Sequence, residues 1–118
     1  MSYLLVFLCG GLGCLFRYSV SELTMRYYEG VVPIGTFISN ALSCVVLVVA
    51  MELFRRSGLD NSVIRTGVVV GFCGGFSTFS TFSFETMQLI KNGNHLVAVG
   101  NVIISVGVCL ILIYKLTK

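Results

Sequence analysis

The sequence predicts an all-α integral membrane protein that crosses the bilayer four times. Hydrophobic residues make up 56% of the chain and charged residues 11%, whereas soluble proteins carry about 25% charged residues. Four stretches approach the roughly 20 apolar residues that a helix needs to cross about 30 Å of hydrocarbon. We therefore expect a single four-helix transmembrane domain over residues 1–118.

The first predicted span runs from Tyr3 to Phe16 and reaches full length by continuing past Arg17 toward Thr24. It lacks a basic n-region and a small-residue cleavage site, so a removable signal peptide is the weaker interpretation. The connections between spans are short, and a bundle this thin would more readily build a polar pathway with a second copy. The other three spans are uncharged stretches: Val31 to Met51, Thr66 to Phe84 and Leu96 to Tyr114.

The third span contains an unusual stretch, GFCGGFSTFSTFSFE, from Gly71 to Glu85. Its serines and phenylalanines both recur every third residue, which places hydroxyl groups and rings on neighbouring faces of a helix. This pattern predicts a lining inside the protein and not an ordinary lipid-facing surface. Gly74 and Gly75 predict a break in the helix at mid-depth, although a simple packing kink is equally compatible with them. Carbonyl groups freed by a break must bond to protein, water or an ion, and oriented carbonyls can bind an alkali cation.

Other polar groups lie inside the predicted spans, where lipid cannot satisfy them. Arg17 would cost about 2.5 to 3.5 kcal/mol near a helix centre, so we expect it to face protein or a water-filled vestibule, or to snorkel to the membrane interface. Asn40 in the second span indicates either a functional amide donor or an interhelical hydrogen bond. Asn101 and Ser105 lie one helical turn apart in the last span, but serine often bonds back to its own helix, which makes this pair a weak signal.

The sequence offers little for catalysis, metal–thiolate chemistry or nucleic-acid binding. The five cysteines all lie in apolar segments without a CxxC pair, so we interpret them as small packing residues. No glycine-rich phosphate loop, GxSxG elbow or paired acids occur, so no enzyme activity is predicted. The net charge of +3 is small and belongs to the membrane flanks, which argues against a nucleic-acid partner.

Three motifs in order along the chain resemble the Fluc/CrcB family of fluoride channels: GGLGCLFRY (Gly10 to Tyr18), PIGTFISN (Pro33 to Asn40) and the third-span stretch. The resemblance covers essentially the whole length. It implies an antiparallel, dual-topology dimer of two copies of the chain in the inner (plasma) membrane, with two fluoride pores and a structural sodium ion at the dimer centre. It also implies passive export of fluoride, which lowers fluoride toxicity in the cell.

The resemblance also implies roles for individual residues. Backbone carbonyls of Gly74 and Ser77 would hold the sodium ion. The ring edges of Phe79 and Phe82, which carry a weak positive potential, would face fluoride together with the amide of Asn40. Ser80, Thr81 and Ser105 would extend the pathway as a hydrogen-bonding track. Glu85 would lie near the end of that track, and Arg17 would lie in a vestibule.

Two other functions compete with a channel. A proton-coupled small multidrug-type exporter can have the same size and topology, but it needs a carboxylate embedded in the membrane. The first span carries Arg17 and no acid before Glu22, and Glu52 and Glu85 lie toward helix ends. A membrane subunit that only packs against a partner would explain the small residues and cysteines, but it would not explain the aligned hydroxyl and ring stripes.

Overall fold

The computed structural model describes residues 1–58 and 61–117. These residues form helices and short connections, without a strand. The molecule is 50 Å long and 31 by 23 Å across, so its long axis exceeds the roughly 30 Å hydrocarbon core of a bilayer. In chain order, the helical elements are α1 (Ser2–Tyr27), α2 (Ile34–Ser57), α3 (Ser62–Thr66), a π-helical segment (Gly67–Cys73), α4 (Gly74–Phe76), α5 (Phe79–Lys91) and α6 (His95–Leu116).

Four helical spans are long and apolar enough to cross a membrane, which confirms the predicted number: Ser2–Tyr27, Ile34–Ser57, Ser62–Lys91 and His95–Leu116. The second span begins later than predicted because Pro33 precedes it. Proline disfavours a helical conformation in the residue before it, which leaves Val31 and Val32 in the connection. This span also continues past Met51 and ends at Gly58, whose φ of 63° is the left-handed conformation that commonly stops a helix.

Glycines let α1 pack directly on the middle of the third span. A Cβ atom at Gly71 would lie 3.0 Å from the carbonyl oxygen of Val6. A Cβ atom at Gly13 or Gly75 would overlap backbone atoms of the facing helix. Contacts this close leave no room for a side chain, so glycine is required where the two spans cross.

The buried interior is polar for so apolar a chain. Most large apolar side chains are exposed, and the buried apolar residues include Val48, Phe76 and Ala98. The described residues that are buried and polar all lie on α2 or α6: Thr36, Ser39, Ser43, Asn101 and Ser105. Three of them hydrogen-bond to the third span, so α2 and α6 turn polar groups toward it.

Candidate functional site

The third span leaves the helical conformation at Ser77 and Thr78, which lie between α4 and α5. Their backbones are extended, with φ and ψ of −91° and 159° at Ser77 and −151° and 123° at Thr78. The prediction placed a break near Gly74-Gly75, but Gly74 is helical with φ of −64° and ψ of −36°, and Gly75 lies within α4. Gly75 instead allows α1 to approach closely. The extended residues begin at Ser77, two residues after Gly75.

Asn40 on α2 holds the extended segment. Its Oδ1 accepts a hydrogen bond from the Thr78 amide at 2.7 Å, and its Nδ2 donates to the Thr78 carbonyl at 3.2 Å. The Thr78 hydroxyl accepts from the amide of Thr81 at 3.2 Å and caps the start of α5. The amide and the carbonyl of Thr78 are thereby satisfied by protein, as an apolar surrounding requires. The interhelical hydrogen bond considered for Asn40 is therefore present, and its partner is backbone.

Arg17 binds another backbone group beside the extended segment. Its Nε donates to the Gly75 carbonyl at 3.0 Å. In a continuous helix, that oxygen would accept from the amide of Phe79. The Arg17 side chain is half-buried, so its guanidinium faces protein on the side of the third span.

A cavity of about 310 Å³, here called the central cavity, opens between α2, α5 and α6. The rings of Phe79 and Phe82 in its lining are tilted by 42°, with centroids 6.0 Å apart. Phe79 is 79% exposed, so its ring lies at the rim of the cavity in a single chain. Of the residues singled out from the sequence, the lining brings together Asn40, Ser77, Phe79, Phe82 and Ser105, and it leaves out Arg17, Gly74, Ser80 and Thr81.

A chain of hydrogen bonds connects α6 to α5 beside the central cavity. Ser105 donates to Oδ1 of Asn101 at 3.3 Å, and Asn101 donates through Nδ2 to the Thr86 hydroxyl at 3.0 Å. Thr86 then donates to the carbonyl of Phe82 at 2.8 Å. Ser105 and Asn101 are buried, and each satisfies the other in an apolar surrounding. Sequence reasoning missed Thr86, for which the available signal was its position one helical turn after Phe82.

A larger cavity of about 430 Å³, here called the end cavity, lies where α1 ends and α2 begins. Thr36 and Glu85 both line it, and the Thr36 hydroxyl donates to Oε1 of Glu85. The carboxylate therefore has a neutral donor as its partner at this end of the bundle. The sequence did not indicate Thr36, because the two residues are 49 positions apart and share no local pattern.

Carbonyl oxygens next to the extended segment are satisfied to different degrees. The Cys73 carbonyl accepts from the amide and hydroxyl of Ser77 at 3.0 and 2.8 Å and from the hydroxyl of Ser43 at 3.0 Å. In residues 1–58 and 61–117, no hydrogen-bond donor reaches the carbonyl oxygen of Gly74 or of Ser77. Gly74 is exposed, and a Cβ atom there would meet nothing within 4 Å, so this side of the span is open in a single chain.

Comparison with known proteins identifies relatives over nearly the whole chain. The chain is 41% identical over 109 residues to the "Fluoride-specific ion channel FluC" of Geotalea uraniireducens (strain Rf4), a match that covers 92% of this chain and 86% of that protein. It is 42% identical over 102 residues to the protein of the same name from Geotalea daltonii, covering 86% and 82%. The corresponding protein of Clostridium perfringens (strain 13 / Type A) is 36% identical over 110 residues, covering 93% and 86%.

The family assignment rests on a match that includes all four spans. Residues 4–115 match the family described as CrcB-like protein, Camphor Resistance (CrcB). This range extends from the first turn of α1 to the last turn of α6. With four helices that can cross a membrane and relatives that are ion channels, the chain is a multi-pass membrane protein that belongs to the CrcB family.

Proposed function

We propose that the chain is a fluoride-specific channel, which exports fluoride passively across the inner membrane and so lowers fluoride toxicity. The observation that carries the proposal is the central cavity, where an amide, hydroxyl groups and two phenylalanine rings meet beside the extended segment of the third span. The relatives from Geotalea are named fluoride-specific ion channels, which supports fluoride as the transported ion. We propose that residues 1–118 form a single channel domain and that this domain has no enzyme activity.

The proposed pathway selects fluoride with close, neutral groups. Fluoride is small and holds its water tightly, so a selective pathway must replace that water with donors at short distance. The ring edges of Phe79 and Phe82 offer a weak positive potential, and Asn40 and Ser105 add an amide and a hydroxyl. These groups bind an anion weakly enough to release it, which conduction requires.

From the central cavity, the proposed pathway continues along α5. Ser80 is exposed, and its hydroxyl lies 3.4 Å from that of Thr78, so it can present a hydrogen bond at the rim of the cavity. Thr81 follows it and is half-buried. Glu85 lies one helical turn further on and lines the end cavity with Thr36. We assign Arg17 to a vestibule, because its charge lies outside the lining of the central cavity.

We further propose that two copies assemble antiparallel against the open side of the third span. Gly74 and Phe79 are exposed in a single chain, and the second copy would cover them. The unbonded carbonyl oxygens of Gly74 and Ser77 fit a structural sodium ion, because a hard cation takes oxygen ligands and two copies would supply four of them. The carbonyls of Cys73 and Gly75 already accept hydrogen bonds, so they are poorer candidates.

Fluoride efflux from liposomes that contain only the purified chain tests this function. A fluoride electrode should record efflux in the absence of a proton gradient, and chloride should not leave the same vesicles at a comparable rate. A proton-coupled exporter would need the gradient, and an inert subunit would release no fluoride. Either of those results would overturn the proposal.

A further inference from the structure

We propose that Cys44 and Cys109 form a two-thiol site for a soft metal ion, and that such an ion blocks the central cavity. Both residues line that cavity. Cys44 lies one helical turn after Asn40 on α2, and Cys109 lies one turn after Ser105 on α6. Because α2 and α6 are the second and fourth spans, they run in the same direction, so the two thiols lie at a similar level of the cavity wall.

The two thiols are close enough to interact. Cys44 and Cys109 line the same cavity and lie near enough to influence each other electrostatically, and the thiol of Cys73 lies near the pair. Cys44 and Cys109 are half-buried, whereas Cys73 is buried and does not line the central cavity. The accessible pair therefore consists of one cysteine from each wall of the cavity.

Soft metal ions prefer thiolate ligands, and Hg²⁺ takes two of them in a linear arrangement. When Hg²⁺ reacts with two thiols, two Hg–S bonds form, two S–H bonds break and two protons leave for water. The bound product carries no net charge, so it avoids the cost of placing a charge at membrane depth. Among the residues that the structure describes, no group of three or more Cys, His, Asp or Glu can hold a metal, so zinc, which takes four ligands, is not expected here.

The effect on transport rests on the proposed function. A metal bridging Cys44 and Cys109 would lie in a cavity of about 310 Å³, beside the amide of Asn40 and the ring of Phe82. It would occupy the space through which fluoride is proposed to pass. Mercuric ion should therefore stop fluoride efflux without unfolding the protein.

Mercury retention by the purified full-length chain tests the site independently of transport. In a chain with serine in place of Cys9, Cys14 and Cys73, about one mercury ion should be retained per chain against glutathione, and a dithiol should remove it. Adding Cys44→Ser or Cys109→Ser should weaken retention at least about tenfold, as expected when a metal ligand is lost. If either single-cysteine chain retained mercury as firmly as the pair, the two-thiol site would be wrong.

Efflux from liposomes tests the block. Mercuric chloride should stop fluoride efflux through the wild-type chain, dithiothreitol should restore it, and the double variant Cys44→Ser/Cys109→Ser should resist it. Cys14→Ser is the matched control, since Cys14 is an exposed thiol on α1, and this variant should stay sensitive. If the chain retained mercury at the two thiols and still released fluoride at the full rate, the proposed block would be wrong. A chain that conducts no fluoride before mercury is added would refute the proposed function, while the retention experiment would still decide the site.

Discussion

Asn40→Ala should destabilise the protein, because it removes a side chain that satisfies two backbone groups at membrane depth. Alanine eliminates the hydrogen bonds to the amide and carbonyl of Thr78, at 2.7 and 3.2 Å. Interhelical hydrogen bonds in membranes average about 0.6 kcal/mol, so losing the two should lower the free energy of unfolding by at least about 1 kcal/mol. Polar groups left buried without a partner cost about 1–3 kcal/mol each, so the loss of stability should not exceed about 6 kcal/mol.

The variant protein can reduce this cost if Thr78 returns to a helical conformation. The Thr78 amide would then donate to the unbonded carbonyl of Gly74, four residues earlier. Rewinding also rotates the following residues relative to α2, and it would move Phe79 and Phe82 away from Asn40's position in the central cavity. We therefore expect Asn40→Ala to lose fluoride efflux whether the protein bears the full cost or rewinds.

Asn101→Ala is the matched control for Asn40→Ala. It removes the same amide, but the partners of Asn101 are the hydroxyls of Thr86 and Ser105, and hydroxyls can bond to their own helix instead. Thr86 already donates to the carbonyl of Phe82 at 2.8 Å. In thermal unfolding of the purified variants in one detergent, Asn40→Ala should unfold at the lower temperature. Equal unfolding temperatures for the two variants, together with unchanged fluoride efflux through Asn40→Ala, would refute the role assigned to Asn40.

Three further predictions concern the rings, the cation and the topology. Phe79→Ile should slow fluoride efflux at least about tenfold, which corresponds to a barrier about 1.4 kcal/mol higher. Phe84→Ile should not, although Phe84 is exposed to a similar extent (65% against 79%), and equal efflux through the two variants would contradict the pore assignment. Gly74→Val should leave the fold intact, since its Cβ meets nothing within 4 Å, but size-exclusion chromatography should show a disrupted dimer. Ser77→Ala should keep the dimer and lower the free energy of unfolding by only about 0.5–1.5 kcal/mol, because it removes one hydroxyl donor and leaves the backbone carbonyl. If both variants remained dimeric, that result would argue against the cation site. A single cysteine in place of the exposed Glu29 should react with an impermeant reagent from both sides of the membrane, and protection from one side would contradict dual topology.

The number of spans could be predicted from apolar length alone, because lipid requires a segment to satisfy its backbone internally and a helix does so. The ends of the spans could not be predicted in this way. Hydropathy detects the charges that flank a span, whereas Pro33 and Gly58 set the ends of α2 through backbone conformation. The second span was therefore predicted to begin too early and to end too soon.

The position of the extended residues could not be predicted, because a glycine in a helix is compatible with a break and with close packing. Gly75 turned out to pack on α1. Thr78 leaves the helix where Asn40, 38 residues away in the sequence, binds its backbone. Contacts over such separations leave no periodic signal in the sequence. The hydrogen bond between Thr36 and Glu85, which are 49 positions apart, could not be predicted for the same reason.

Most polar side chains of the spans hydrogen-bond to backbone groups, and this determines which groups an anion would meet in the proposed pathway. Asn40 uses one amide hydrogen for the Thr78 carbonyl and has a second one left. Arg17 directs its Nε to the Gly75 carbonyl, outside the lining of the central cavity. An ion in that cavity would therefore meet neutral groups: an amide hydrogen, hydroxyls and ring edges. Neutral donors hold an ion less firmly than a fixed charge, so release can be fast. In the proposed pathway, the backbone contact of Arg17 would thus keep a positive charge out of the cavity, where it would trap the anion.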